Sequence, residues 1–148
     1  QVHRVVCASP SYLQAHGSPV QPQDLKQHSV IVSSGLAQSV EWRFLQHGEA
    51  ISVRINPRLT VSSNDGAIEA AACGLGIARL MSYQVAPMVA TGRLQTVLDE
   101  FEAPPVPIHI LHREGRHASA KVRAFVDLLA DHLRAQAFTT HDGGPGIV

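Results

Sequence analysis

Apolar residues alternate with polar ones along some stretches of this chain and recur every three or four residues along others, and the changes of period divide it into elements. Val2 to Ala8 is a β-rich apolar run and predicts a strand. Ser9-Pro10 follows as a cap with proline at the first helical position, so a short helix is expected from Pro10 to about His16, ended by Gly17. Pro19 and Pro22 break the chain before Asp24-Leu25. Ser29 to Val32 predicts a second strand, and Ser33-Ser34-Gly35 a loop after it. Trp42 and Phe44 alternate with Arg43 and Leu45, His47-Gly48 supplies a turn, and Ile51, Val53 and Ile55 alternate again, which is a hairpin pattern. Arg58 to Ser62 predicts a further strand.

From Asn64 to Leu98 the pattern becomes helix, strand, helix, strand. Asn64 or Asp65 caps a short apolar helix that Gly74 ends, Gly76 to Leu80 predicts a buried strand, and Tyr83 to Thr91 a second helix closed by Gly92. The apolar interior of this run carries no acid, base or nucleophile, and its polar groups gather where the first helix begins. That suits a segment that holds a small ligand rather than transforming one. Asp99, Glu100, Glu102 and Pro104-Pro105 then form a charged, proline-broken link, and Ile108 to Leu111 predicts a strand. Val122, Phe125, Val126, Leu129 and Leu133 recur at helical spacing, giving an amphipathic helix from Ser119 to about Gln136. Thr139 to Val148 is expected to be a frayed tail. Strands alternating with helices argue for an α/β fold: a mixed, largely parallel sheet flanked by helices.

With 148 residues, 45% of them hydrophobic and 16% charged, the composition is that of one folded domain with a real core. The formal net charge of zero offers no basic excess for a phosphate backbone, which argues against nucleic-acid binding by this chain itself. Cys7 and Cys73 lie in apolar surroundings without a Cys or His partner at metal spacing, so both are expected to be buried free thiols, in keeping with a reducing, cytoplasmic compartment. No apolar run approaches the ~20 residues that span a bilayer, and no membrane partner is expected. The chain opens at Gln1 directly before a strand, which is expected of a piece cut from a longer protein.

Candidate chemistry is sparse. Nine histidines invite a metal, but His109 and His112 are three apart on an expected strand and so face opposite sides, and no H-E-x-x-H or close Cys/His set exists. Gly74-Leu75-Gly76 follows a helix instead of a strand, and Arg79 stands where a dinucleotide fingerprint needs its third glycine. There is no G-x-S-x-G elbow. No catalytic residue, metal or cofactor is therefore expected, and the chain is read as a non-enzyme. Arg79 interrupts an apolar strand, and an ion pair with a protein acid is the expected explanation, with a ligand carboxylate as the other. Trp42 is expected to anchor the hairpin in the core, with stacking on a ligand as the alternative.

Several motifs, taken in order and spacing, point to one family: A-S-P-S-Y-L-Q-A-H-G at Ala8 to Gly17, P-Q-D-L at Pro22 to Leu25, W-R-F at Trp42 to Phe44, N-D at Asn64-Asp65, G-L-G-I-A at Gly74 to Ala78, G-R-L at Gly92 to Leu94, and K-V-R-A-F-V-D at Lys121 to Asp127. Together they resemble the effector-binding domain of LysR-type transcriptional regulators, from about Arg4 to Arg134. The resemblance implies a domain like a type II periplasmic binding protein, in which two α/β subdomains clasp a small molecule. It implies that residues 1–104 form the second subdomain with the first crossover strand, that residues 105–137 hold the return crossover strand and the final helix, and that residues 138–148 are a flexible tail. The DNA-binding helix-turn-helix and most of the first subdomain would then lie outside this chain, so DNA would be a partner only through that absent region. The family also implies a homo-oligomer, with Gly66 to Met81 as a candidate contact surface.

The positions matching the family's effector cleft are Ser33, Ser34 and Gly35 after one strand, and Ser63, Asn64, Asp65 and Gly66 at a helix start. Free N–H groups at such a start receive a carboxylate or other anion, and serine hydroxyls donate or accept. The same residues are also ordinary caps, and Asp65 would repel an anion, so both readings stand at this point. The expected function is that of a small-molecule sensor controlling transcription. A stand-alone solute-binding protein and an enzyme on a similar α/β frame are the rivals.

Overall fold

The computed structural model describes residues 2–33, 41–107, 109–110 and 119–139. The chain divides into two compact units: His3–Pro105, and a smaller one made of the residues before His3 and those from Val106 on.

The larger unit is built on a five-stranded sheet. Its strands are β1 (Arg4–Ala8), β2 (Val30–Ser33), β5 (Leu59–Val61), β6 (Ile77–Met81) and β7 (Gln95–Val97), in the order β5-β2-β6-β1-β7. β2 runs parallel to β5 and to β6, whereas β1 is antiparallel to both β6 and β7. Four strands thus point one way and only β1 opposes them, the mixed, largely parallel sheet that the alternation of elements predicts. β3 (Glu41–Gln46) and β4 (Glu49–Arg54) form a separate hairpin. His47 and Gly48 both have positive φ, 51° and 83°, which gives a two-residue loop the twist of its flanking strands.

α2 (Asn64–Ala72) and α3 (Ser82–Ala90), which precede and follow β6, cover one face of the sheet, and the hairpin together with α1 (Pro10–His16) the other. α1 is capped by Ser9, whose Oγ accepts from the Tyr12 N–H at 3.2 Å, and ends at Gly17 with φ 82°. Alternation along the strands sends successive side chains to opposite faces. Val5, Cys7, Ile31, Ala78 and Leu80 join Ala67, Ile68 and Ala71 of α2 and Val85 of α3 in one aliphatic cluster. Val6, Ala8, Val30 and Ile77 join Tyr12, Leu13, Trp42, Phe44 and Val53 in the other.

Gly76 allows a close backbone approach. The β6 N–H of Ile77 donates to the Ser29 carbonyl at 2.8 Å, and any Cβ on Gly76 would collide with that carbonyl. Ser29 is pinned from the other side as well, since its N–H donates to the Tyr12 hydroxyl at 2.9 Å.

Two expectations are corrected here. Cys7 is fully buried, and burial pushes its thiol up to about 12, but Cys73 is exposed. Cys73 sits at the C-cap of α2, where it is exposed although Ala71, two residues earlier, is buried. Both thiols are free. Arg79 makes no ion pair among the described residues. Its guanidinium lies over the rings of Phe44 (4.8 Å) and Trp42 (5.9 Å) and donates through Nη2 to the Arg43 carbonyl at 2.6 Å. Desolvation lowers its pKa to about 10, with Arg4 adding repulsion and Glu102 opposing both. Trp42 is buried in the core, as an alternating aromatic should be.

In the smaller unit, Val2 and Val106 exchange backbone hydrogen bonds of 3.0 and 2.7 Å as an antiparallel bridge. The strand expected at Ile108 to Leu111 lies largely outside the described residues; His109 and Ile110 are not in a strand, and His112 is not described. α4 (Ala120–Thr139) runs past the expected end at Gln136, with Val122, Val126, Leu129 and Leu133 half-buried and Phe125 and Leu128 exposed. Among the described residues no helix is long and apolar enough to cross a membrane.

Candidate functional site

The carboxyl ends of the three mutually parallel strands lie side by side, and polar residues follow each of them. β2 ends at Ser33, β5 leads through Ser62 and Ser63 into α2, and β6 leads directly into α3. In open α/β sheets this edge, where helices begin with unpaired N–H groups, is where ligands bind.

Ser33 is 2% exposed, and its hydroxyl donates to Asn64 Oδ1 at 2.6 Å, joining residues 31 apart in sequence. A buried hydroxyl needs such a partner. Asn64 is half-buried at the first position of α2 and uses its other end as well: Nδ2 donates to Gln84 Oε1 at 3.3 Å, and the same oxygen accepts from the Met81 N–H at 3.3 Å. The starts of α2 and α3 and the end of β2 are thereby tied together through side chains.

The cap of α2 is neither Asn64 nor Asp65. Ser63 holds extended backbone angles, φ −139° and ψ 158°, and its Oγ accepts from the Gly66 N–H at 3.1 Å. Asn64 is freed from capping because it is already helical, so its amide turns toward the strand instead. Asp65 is exposed in the first turn, and Gly66 is half-buried against Val61 and Ser63. Ser34 and Gly35 lie outside the described residues. Of the seven residues that the sequence nominates, the structure joins Ser33 to Asn64 and Ser63 to Gly66. Gln84 was missed; its signal was a glutamine at the third position of a helix that begins one residue earlier than its apolar pattern suggests.

Among the described residues no three His, Cys, Asp or Glu side chains gather to hold a metal ion. The site is a hydrogen-bonding edge set on rigid elements, suited to orienting a small polar molecule.

An α/β sheet of this order, with its polar residues collected at the parallel strands' carboxyl ends, defines a ligand-cradling domain. The family model described as the LysR substrate binding domain matches residues 1–134, and the chain belongs to that family, whose domain is the effector-binding regulatory part of LysR-type regulators. It is 29% identical over 137 residues to a probable HTH-type transcriptional regulator, LtrA of Klebsiella pneumoniae, covering 90% of this chain and 44% of that protein. It is also similar to the full-length structure of the Vibrio cholerae virulence activator AphB, with a TM-score of 0.76 at 26% identity over 88% of this chain and 45% of that one. The CrgA regulatory domain from Neisseria meningitidis gives a TM-score of 0.69 at 25% identity, covering 90% of this chain and 66% of that one. The chain spans under half the length of the curated relatives it matches.

Proposed function

We propose that this domain senses a small molecule at the edge formed by Ser33, Asn64 and the start of α2, and that the bound effector controls transcription through a helix-turn-helix carried elsewhere in the whole protein. The observation that carries this reading is the Ser33–Asn64 hydrogen bond at the carboxyl end of β2. It joins a residue nominated at the end of β2 to one nominated at the start of α2, at the edge where α/β sheets commonly receive ligands. Relatives named as HTH-type transcriptional regulators support the second half of the reading. Ser34, Gly35, Ser63, Asp65 and Gly66 would flank the effector. A carboxylate or similar acceptor suits a helix start, whose first N–H groups lack intrahelical partners.

The ligand acts by binding, with no chemical step. The two crossover strands expected at Val2 to Ala8 and Ile108 to Leu111 are the proposed hinge. An effector that favours one arrangement by ~1–3 kcal/mol is enough to shift a two-state regulator. The whole protein would act in the cytoplasm as a homo-oligomer, with Gly66 to Met81 as a contact surface.

Asn64→Ala in the whole protein is the test. Its effector-dependent transcription should require a markedly higher effector concentration, while stability falls by about 1–3 kcal/mol, because two side-chain hydrogen bonds go and the buried Ser33 hydroxyl loses its acceptor. A response curve that superposes on the unmutated one would leave Asn64 a structural residue and remove this site.

A further inference from the structure

Gln84 stands where three elements converge. Its carboxamide oxygen accepts from the Met81 N–H at 3.3 Å, before α3, and from Asn64 Nδ2 at 3.3 Å, at the start of α2. Asn64 Oδ1 in turn accepts from the Ser33 hydroxyl at 2.6 Å.

The polarity of this chain has one fixed point. A carboxamide has nearly the same shape either way round, so an asparagine presents oxygen or nitrogen according to its neighbours. Ser33 does not decide the matter, because a hydroxyl both donates and accepts. The Met81 N–H does, because a backbone N–H only donates. It selects the oxygen of Gln84, an atom that only accepts, and that oxygen selects the nitrogen of Asn64. The oxygen of Asn64 is then left for Ser33, whose hydroxyl must donate. One backbone donor thus orients three side chains on three elements.

We propose that Gln84 is a positioning residue for the effector: it fixes the Asn64 amide so that the edge keeps hydrogen-bond donors, the second Nδ2 hydrogen of Asn64 and the Nε2 group of Gln84, for an accepting group such as a carboxylate. This rests on the effector reading of Asn64. A glutamine at the third helical position that reaches back to the preceding N–H is also half of a capping box. Capping alone requires the bond to Met81; it does not require the bond to Asn64.

The test uses the 15N-labelled 148-residue chain. The Asn64 side-chain amide signals are identified by their loss in Asn64→Asp. Gln84→Met keeps length and removes the acceptor, and should speed hydrogen exchange of the Asn64 side-chain amide about tenfold, the equivalent of one net hydrogen bond. Gln84→Glu keeps an accepting oxygen and should leave those signals in place. An Asn64 pair unaltered in Gln84→Met overturns the proposal. If Gln84→Met loses its dispersed spectrum, Gln84→Glu decides: a retained Asn64 pair supports the orienting role, and a lost pair overturns it.

The effector reading is judged separately by titrating sodium acetate, succinate and benzoate against sodium chloride of equal ionic strength, following the Gly66 backbone signal. Carboxylate-specific shifts that Asn64→Ala abolishes support it. Shifts no larger than those with chloride, or unchanged by Asn64→Ala, overturn the ligand role, while the amide exchange result still decides whether Gln84 orients Asn64.

Discussion

The two faces of the five-stranded sheet are covered in different ways. On the helix side the contacts are aliphatic: Ile31, Cys7, Ala78 and Leu80 meet Ala67, Ile68, Ala71 and Val85, with no polar side chain among the buried residues of the cluster. On the hairpin side Trp42, Phe44 and Tyr12 dominate, and Arg79 projects from β6 among them. The first face is held chiefly by area, with the Ser33–Asn64–Gln84 hydrogen bonds confined to its edge. The second combines burial with a cation over two rings and a single short hydrogen bond from Arg79 to the hairpin backbone. Among the described residues the buried guanidinium Nε of Arg79 has no hydrogen-bond partner, so this face gives up some solvation for a specific grip on the hairpin. A purely aliphatic seam tolerates sliding, and a directional contact sets a position.

The largest expected effect lies on the aliphatic face. Ile31→Ala, at a site 1% exposed, should lower unfolding free energy by about 2–5 kcal/mol in a denaturant titration. A loss well under ~1 kcal/mol would mean that this face does not carry the stability of the sheet. A double-mutant cycle between Phe44→Leu and Arg79→Met sharpens the contrast on the other face. The coupling should be about 1–2 kcal/mol, the range of a cation–aromatic contact removed from water. Additive effects would reduce Arg79 to a stem packed against the rings.

The smallest expected effect is a pH dependence seated beside the hairpin face. His28 Nδ1 lies 3.2 Å from the Tyr12 hydroxyl, whose oxygen already accepts the Ser29 N–H, leaving its proton for a neutral imidazole. Desolvation holds His28 below its ordinary value near 6.5, with Asp24 opposing and His16 adding to the shift. The unfolded chain therefore takes up the proton first. Stability is fully present above the unfolded value, declines as pH falls below it, and levels off once pH has passed the lower folded value. Denaturation midpoints between about pH 7.5 and 5.5 should fall on acidification, and His28→Gln should flatten part of that fall. A profile identical in the variant would remove His28 as a contributor.

Much of this fold is legible in the residues themselves. Ser9-Pro10 and Gly17 bracket α1 at its observed bounds, and His47-Gly48 sets the hairpin, because proline, glycine and a short polar cap act through the local backbone. What sequence does not carry is the partner across space. Ser63, Asn64 and Asp65 are all competent caps, and only the extended angles of Ser63 decide among them. Once Ser63 has that role, Asn64 is drawn toward Ser33 and Gln84. Arg79 shows the same limit: an arginine in an apolar strand announces that it needs company, but two aromatic rings on a hairpin satisfy it where an acid was expected. Cys73 is the simplest case, apolar in its sequence neighbourhood and exposed because α2 ends one residue before it.

The position of β1 has a consequence for how the chain is made. Of the five strands of this sheet it is made first and enclosed last, since it is flanked by β6 and β7, and Cys7 sits opposite Ala78 on one side and Thr96 on the other. Pairings so distant in sequence form late, after the loop-closure entropy has been met by local structure. Until nearly the whole larger unit has been synthesised, Val5, Val6, Cys7 and Ala8 form a sticky segment with both edges open, dependent on the speed of translation and on chaperones for protection.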